Sequence, residues 1–379
     1  MGSPNLIRWT EQAAGALLIA LVLLDAFLSV LYARIDSGII SYRLARVVWW
    51  LFRRVAMLRK QSRAKILSFC GPAILVALVS VWATALTLGA GLLIHPRLGT
   101  SVVAETGPTP TDFLSALYAG GSSMAIVGAG DFHPVTSSYR LLYLFNSLVG
   151  VSVLSLTLAY ILQIYTALQR RNTLGLNIYL HTARTGDAAE LLAGLGPQGH
   201  FDITYSSLAE LATEVAAAKE SHHFYPVLFY FRFSEPYYSV SLITTVALDS
   251  VSLAKSALDD REYRWLKDSG ALAQLWEASL LMITTLENTF LAREPRSGSH
   301  PPDAETIRSW RDRYFAAVDR LRRAGIKVVA DERAGAEHYI SVRSEWDYLV
   351  RQLAPTMFYT IEEIDAATSR IEPPVAKAA

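Results

Sequence analysis

Two long stretches of the chain carry no charged side chain, and they restrict the folds available to it. Residues 66–94 and 141–169 each run for 29 positions without Asp, Glu, Lys or Arg. Residues 12–33 form a third such stretch, interrupted only by Asp25. A helix needs about 20 apolar residues to cross the hydrocarbon core of a bilayer. The sequence therefore predicts a membrane protein with three spanning helices in its first 170 residues.

The composition agrees with this class and argues against others. Hydrophobic residues make up 52% of the 379 positions, and the mean hydropathy is +0.26. A formal net charge of +1 offers no basic surface for nucleic acid, so we expect no nucleic-acid partner. The first apolar stretch is longer than that of a signal peptide and contains Asp25, so it is expected to be retained. The single cysteine, Cys70, excludes an intrachain disulfide.

The short loops predict an orientation in the membrane, because cytoplasmic loops carry an excess of Lys and Arg. The connection between the first two apolar stretches contains one acid, Asp36, and nine basic residues. These are Arg34, Arg43, Arg46, Arg53, Arg54, Arg59, Lys60, Arg63 and Lys65. The connection after the second stretch has only Arg97 against Glu105 and Asp112. We therefore expect a multi-pass protein of the cell (inner) membrane, with its N-terminus outside and its C-terminal half in the cytoplasm.

The basic connection itself has the pattern of an amphipathic helix over residues 39–62. Its arginines recur at helical spacing on one side, and valine and leucine side chains occupy the other. Such a helix lies in the membrane interface, where it is expected to contact the anionic inner leaflet through Arg43, Arg46, Arg53 and Arg54. A moving voltage sensor is disfavoured, because the three-residue spacing breaks after two arginines.

The connection between the second and third stretches predicts a pore loop. Residues 108–112 supply turn and N-cap residues, and a helix over 112–125 is too short to span the membrane. Non-helical backbone at membrane depth is tolerated only where it is buried in protein or lines water. Gly128 and Gly130 permit positive φ at alternate positions, so that successive carbonyls can point the same way. Such carbonyls can replace the hydration shell of a cation.

From Ala116 to Gly150 the chain resembles the two-transmembrane potassium-channel superfamily. The best-matched piece is Gly128-x-Gly130-Asp131-x-x-Pro134-x-Thr136, which lies between two uncharged runs. The resemblance implies a pore domain over residues 63–171. Its parts are an outer helix at 65–95, a pore helix at 112–125, a filter at 126–131 and an inner helix at 139–169.

The resemblance also implies a homotetramer, because four filter loops are needed to surround one ion. The permeant ion would be a monovalent cation, K⁺ or Na⁺, and no other metal or cofactor is expected. The implied filter residues are Ile126, Val127, Gly128, Ala129, Gly130 and Asp131. His133 and Pro134 would lie at the pore mouth, and Gly150 would be the gating hinge.

Two filter positions depart from the family pattern. Ile126 stands where the family has a threonine whose hydroxyl contributes to the innermost ion site. Ala129 stands where the family has an aromatic ring that braces the loop. The pore helix has lost bulk as well, with Tyr118 and Ala119 at the family's usual aromatic pair and Gly120 and Gly121 after it. Asp131 would still form an acidic ring at the outer mouth. We therefore expect a cation pore with weakened potassium selectivity.

Residues 172–379 are predicted to form a cytoplasmic α-helical domain with a regulatory or assembly role. The domain contains no dinucleotide fingerprint, P-loop, metal-spaced His and Cys pair or nucleophile elbow, so we expect no enzyme. The apolar piece 224–248 is interrupted by charges and prolines, which favours core helices over a fourth span. His222 is expected at a solvated helix end, and Asp249 on a solvated helix face.

The predicted fold class is an all-α membrane protein with a pore-loop cation-channel fold, preceded by an N-terminal transmembrane helix at 1–38. The predicted function is a tetrameric potassium-channel-like cation channel. The alternative is a membrane-anchored cytosolic sensor or binding module with a non-conducting pore. For some residues the sequence leaves two roles open. Asp25 is either an ion site or a local helix partner. His133 is either a pH-sensitive group or an exposed loop residue. The polar side chains of the third helix either face a wet cavity or bond between helices; they are Asn146, Ser147, Ser152 and Ser155.

Overall fold

A computed structural model describes residues 3–32, 38–59, 62–125, 130–201, 204–290 and 302–365. These residues are mostly helical, which confirms the predicted fold class of an all-α membrane protein. The chain divides into two compact units. The membrane unit comprises Met1–Leu58 and Phe69–Tyr165, and the C-terminal unit comprises Arg59–Ser68 and Thr166–Ala379.

The described elements follow one another in a simple order. The α-helices are α1 (Ser3–Ala26), α2 (Ile40–Leu58), α3 (Arg63–Ser68), α4 (Cys70–Ile94), α5 (Phe113–Met124), α6 (Ser137–His181), α7 (Ala188–Leu195), α8 (Thr204–Phe224), α9 (Val240–Ala257), α10 (Arg264–Lys267), α11 (Gly270–Phe290), α12 (Ala304–Arg323), α13 (Glu332–Ser344), α14 (Asp347–Thr356) and α15 (Ile361–Ile364). A π-helical turn, Phe27–Leu31, extends α1. Two short strands, β1 (Val102–Ala104) and β2 (Phe132–Pro134), flank α5 in the chain.

Four described helical segments, two of which join consecutive helices or turns, are long and apolar enough to cross a membrane. Three of them, at Leu6–Leu31, Arg63–Arg97 and Ser137–His181, coincide with the predicted spans. The fourth, Val240–Ala257, is 94% buried within the C-terminal unit. A helix facing lipid would instead expose apolar side chains around much of its circumference. We therefore assign α9 to a protein core, as its interrupted apolar sequence predicted.

Close contacts between small residues hold α1 against α4. A Cβ atom added to Gly15 would lie 2.6 Å from the carbonyl oxygen of Gly89, so the two backbones touch at this crossing. Farther along, Asp25 is fully buried and accepts hydrogen bonds from Trp82 Nε1 at 2.8 Å and from the Ile40 backbone N–H at 2.7 Å. A buried carboxylate needs such donors. Asp25 therefore joins α1, α2 and α4, which supports its interpretation as a local helix partner.

The glycine pair of the pore helix serves close packing against the outer helix. A Cβ atom on Gly120 would lie 2.4 Å from the backbone nitrogen of Gly91, whereas one on Gly121 would meet only the Thr87 side chain, at 3.1 Å. The small residues in α5 thus allow the backbones of α4 and α5 to approach. The close approach of the two backbones explains why the pore helix has a glycine, and no larger residue, at position 120.

The inner helix continues beyond its predicted end. The prediction placed it at 139–169 because Arg170 and Arg171 end the apolar run, but charged residues do not end a helix. In the structure α6 runs unbroken to His181. Arg171 is buried and donates hydrogen bonds to the carbonyl oxygens of Leu228 at 3.0 Å and Phe231 at 2.9 Å. The C-terminal unit therefore begins within α6.

The segment before the outer helix also belongs to the C-terminal unit. The predicted outer helix, 65–95, is divided in the structure into α3 and α4. The Arg63 guanidinium lies 4.1 Å from the centre of the Phe358 ring, a cation–π distance, and Leu67 is fully buried. The C-terminal unit thus draws on two separate parts of the chain.

Helix α9 forms the centre of the C-terminal unit, where every one of its residues except Lys255 is buried. Helices α7, α11 and α13 pack around it, and α8 packs along α11. The described residues of this unit form no β-strand. A helix covered on all sides in this way is a usual core element, and it explains the apolar sequence of this region.

Two side chains expected at the surface are buried instead. Asp249 is 3% exposed and His222 also 3% exposed. Neither ring nitrogen of His222 has a hydrogen-bond partner among the described residues. Burial, with a further contribution from Arg171, lowers the pKa of His222 to about 3, so the imidazole is neutral at pH 7. Both predictions were wrong because helical spacing does not show whether a second layer covers a polar face.

Asp249 is the hub of a buried network of ion pairs. One of its carboxylate oxygens lies 3.0 Å from Arg313 and the other 3.2 Å from Arg343, and Tyr339 donates to it as well. Three further carboxylates complete the network: Asp187 precedes α7, Asp347 begins α14 and Asp365 follows α15. Burial by itself would lower the pKa of Arg343, but the surrounding carboxylates hold it well above its usual value. The network joins helices that are distant in the chain.

Candidate pore site

The predicted filter lies partly outside the described residues. Ile126, Val127, Gly128 and Ala129 fall there, whereas Gly130 and Asp131 are described. What the structure provides is the framework on each side of the loop: the end of α5 before it, and the outer mouth after it.

The pore helix begins at a specific cap. Asp112 accepts hydrogen bonds from the Ser115 backbone N–H at 3.0 Å and from the Ser115 hydroxyl at 2.7 Å, so α5 starts at Phe113. The helix ends at Met124, immediately before the loop. The carbonyl end of a helix carries a partial negative charge. This end of α5 therefore favours a cation at the start of the loop.

Three residues of the inner helix hold the last turn of the pore helix. Asn146 Nδ2 donates to Ser123 Oγ at 2.9 Å, and Ser147 Oγ donates to the Ser123 carbonyl oxygen at 2.9 Å. A Cβ atom on Gly150 would lie 2.0 Å from the carbonyl oxygen of Met124. Asn146 and Ser147 thus bond between helices. Gly150 allows a close backbone contact, and its role as a gating hinge stays a prediction.

A tyrosine of the pore helix contacts the carboxylate at the outer mouth. The Tyr118 hydroxyl donates to Asp131 Oδ2 at 2.6 Å, and the Tyr118 ring meets the edge of the Phe132 ring at a centroid distance of 6.1 Å. Both contacts fix the residues that directly follow the loop. Tyr118 therefore connects the pore helix to Asp131 and Phe132, the residues that follow the loop.

The outer mouth is also paired with the connection between α4 and α5. Strands β1 and β2 are antiparallel, with Val102 opposite Pro134 and Val103 opposite His133. The Glu105 backbone N–H extends this pairing by donating to the Asp131 carbonyl oxygen at 2.9 Å. The main chain after the loop is thus held by backbone hydrogen bonds on one side. His133 is exposed within β2.

The charge at this mouth favours cations. Asp131 and Glu105 are both exposed, and Glu105 Oε2 would lie 3.6 Å from a Cβ atom on Gly130. Carboxylates at a pore entrance raise the local concentration of cations and lower that of anions. Within the described ranges no three His, Cys, Asp or Glu side chains converge on a metal position. The described residues after the loop therefore carry exposed negative charge from Asp131 and Glu105.

The sequence predicted the residues at the two ends of this site but not the contacts that hold them in place. The N-cap at Asp112 and the mouth carboxylate Asp131 were both visible as motifs. The β1 strand was missed because three residues are too few to show an alternating pattern. The contact between Tyr118 and Asp131 joins residues 13 positions apart and has no sequence signature.

Comparisons with known proteins bear on this segment. Residues 71–167 match a family model described as "Ion channel". The chain is also 22% identical over 236 residues to "Uncharacterized membrane protein YdjJ" of Bacillus subtilis (strain 168), an alignment that covers 62% of this chain and 67% of that protein. No solved structure matches the chain significantly. The resemblance stated from the sequence is thereby confirmed in its coarse form: residues 71–167 are similar to the ion-channel family, and the chain is a mostly helical membrane protein.

Proposed function

We propose that the protein is a homotetrameric channel for monovalent cations, with only a weak preference for K⁺ over Na⁺. The ion-channel match over residues 71–167 carries this proposal. The cation-favouring end of α5 and the carboxylate of Asp131 on either side of the loop add to it. The protein acts as a channel rather than an enzyme.

The inner helix supports an oligomer, because one chain supplies only one loop. A row of apolar side chains along α6 is 50 to 67% exposed in the single chain. They are Leu141, Leu144, Phe145, Leu148, Leu158 and Leu162. In a tetramer part of this row meets neighbouring subunits, and the rest meets lipid or the pore.

Native mass spectrometry of the detergent-solubilised chain tests the assembly. A tetramer is expected, because an ion path needs four loops around one axis. Blue-native electrophoresis in a second detergent serves as the control for dissociation. A monomer or a dimer in both detergents would exclude this channel architecture.

Helix α2 supports contact with the inner leaflet. Its residues Ala45, Trp49 and Ala56 are buried, while the arginines of the opposite faces are exposed. These are Arg43, Arg46, Arg53 and Arg54. An amphipathic helix with this distribution binds anionic lipid headgroups. The proposal places the N-terminus outside the cell membrane and the C-terminal unit in the cytoplasm, where it gates or assembles the pore.

The selectivity of the pore is the next expected result. Ile126 removes a hydroxyl ligand from each subunit and Ala129 removes a bracing ring, and discrimination between K⁺ and Na⁺ depends on the number and field of the ligands. Reversal potentials under bi-ionic K⁺ and Na⁺ should therefore show weak preference. The double variant Ile126→Thr/Ala129→Tyr should shift them toward K⁺, whereas His133→Gln is a mouth control that should not.

Two outcomes would change the proposal. Strong K⁺ selectivity in the unmodified protein would refute the argument from Ile126 and Ala129. A complete absence of flux from tetrameric protein in liposomes would favour the second candidate, a membrane-anchored sensor with a non-conducting pore. The departures of Ile126 and Ala129 from the family pattern are the sequence observation that favours this candidate.

A further inference from the structure

A cavity of about 240 Å³ lies in the C-terminal unit where α6 ends. Its walls come from the last turns of α6, from α7 and from the first half of α8. Leu191 and Leu195 give it apolar walls, and both are buried. Pockets for small molecules are usually apolar concavities with a few convergent polar groups. This cavity is open to solvent on one side: Leu191 and Leu195 are buried, whereas Glu210 and His181 are exposed and Glu214 and Asn177 are half-buried.

The polar groups of the cavity are unbalanced in charge. Glu210 and Glu214 lie one turn apart on α8, and His181 and Asn177 face the cavity from α6. Two carboxylates at this spacing repel each other. Asn177 Nδ2 donates a long hydrogen bond of 3.5 Å to Glu214, and neither glutamate has an ion-pair partner among the described residues. No Lys or Arg lines the cavity.

We propose that this cavity binds a small organic cation with an apolar body, such as an alkylguanidinium or an alkylammonium. The cationic head would lie between Glu210 and Glu214, and its alkyl chain against Leu191 and Leu195. A guanidinium suits carboxylates best, since its planar donors bind them in pairs. A bare divalent metal is a poorer match, because no three ligating side chains among the described residues converge there.

One helix, α6, contributes residues both to the cavity and to the pore segment. Asn177 and His181 belong to the same unbroken helix as Gly150. A cation bound to Glu210 and Glu214 would attach the end of α6 more firmly to α8. This regulatory consequence rests on the proposed channel function, whereas the binding site itself does not.

Isothermal titration calorimetry of the full-length protein in detergent tests the site at constant KCl concentration. The probe is n-butylguanidinium, and n-butylurea is its neutral counterpart of the same shape. We expect saturable binding of the cation and at least tenfold weaker binding of the urea. The double variant Glu210→Gln/Glu214→Gln should lose at least tenfold in affinity, whereas Glu220→Gln, on the same helix but outside the cavity, should not.

A second variant tests whether misfolding of the double variant, rather than loss of the two carboxylates, explains its weaker binding. Leu195→Trp fills the cavity from its apolar side without changing charge, and it should also weaken binding of the cation. Equal binding of n-butylurea, or unchanged affinity in both cavity variants, would overturn the proposal. An adventitious surface interaction would give this same unchanged affinity.

Flux measurements separate this inference from the proposed function. In liposomes, n-butylguanidinium on the side of the C-terminal unit should change cation flux at least twofold in the unmodified protein and leave the double variant unaffected. Binding without any flux in unmodified protein would refute the channel and retain the site. Flux without calorimetric binding would refute the site and retain the channel.

Discussion

Replacing Asp249 by Ala is expected to destabilise the C-terminal unit by about 3–5 kcal/mol, because the change leaves two buried arginines without their shared carboxylate. Arg313 and Arg343 are 3% and 0% exposed, so water cannot replace the lost partner. The Tyr339 hydroxyl loses its acceptor as well. A deletion within a buried ion network costs far more than the same deletion at a surface.

The measurement is urea unfolding of the full-length protein, followed by pulse proteolysis that reports release of the C-terminal unit. Asp260→Ala is the matched control, since Asp260 pairs with Lys267 but its side chain is 80% exposed. Its loss should cost less than about 1 kcal/mol. Equal shifts of the urea midpoint in the two variants would contradict the importance of the network.

A double variant tests whether the network acts as a unit. Arg343→Met removes one of the two arginines that lose a carboxylate partner in Asp249→Ala. The two substitutions together should therefore cost less than the sum of the single losses, because groups in one network are not additive. Full additivity would mean that Asp249 and Arg343 contribute independently, against the 3.2 Å separation of their charged atoms.

The sequence allowed prediction of features that depend on local pattern. The spans followed from uncharged runs, and the start of α5 followed from a cap residue at Asp112. Both features are set by residues close together in the chain. The predicted family resemblance followed in the same way from a compact motif around Gly128 and Gly130.

Features that depend on distant partners could not be predicted. Asp249 meets Arg313 and Arg343 across 64 and 94 positions, so helical spacing alone assigned it to solvent. Gly120 was interpreted from the sequence as lost bulk, whereas in the structure it allows a close contact with the backbone of α4. The predicted end of α6 was wrong for a related reason. Arg171 is buried because it donates hydrogen bonds to carbonyl oxygens that lie 57 and 60 positions later in the chain.

Replacing Gly150 by Ala is expected to abolish most of the cation flux and to lower the thermal stability of the membrane unit. The new Cβ atom would lie 2.0 Å from the Met124 carbonyl oxygen, which is backbone at the end of the pore helix. Met124 cannot move aside without displacing the loop that follows it. Overpacking of this kind costs about 1–3 kcal/mol, and the displacement would fall on the loop that the proposed function assigns to the filter.

A hinge role for Gly150 makes the opposite prediction for stability. Alanine is favoured over glycine within a helix by about 1 kcal/mol, so a simple hinge would become stiffer and more stable, with altered gating. Gly121→Ala is the matched control, because its Cβ atom meets only the movable Thr87 side chain, at 3.1 Å. Thermal melting and liposome flux should show a large loss for Gly150→Ala and a small one for Gly121→Ala. A Gly150→Ala protein that melts higher and still conducts would contradict the packing role and favour the hinge, since only a helix free of the Met124 contact can accept the extra methyl group.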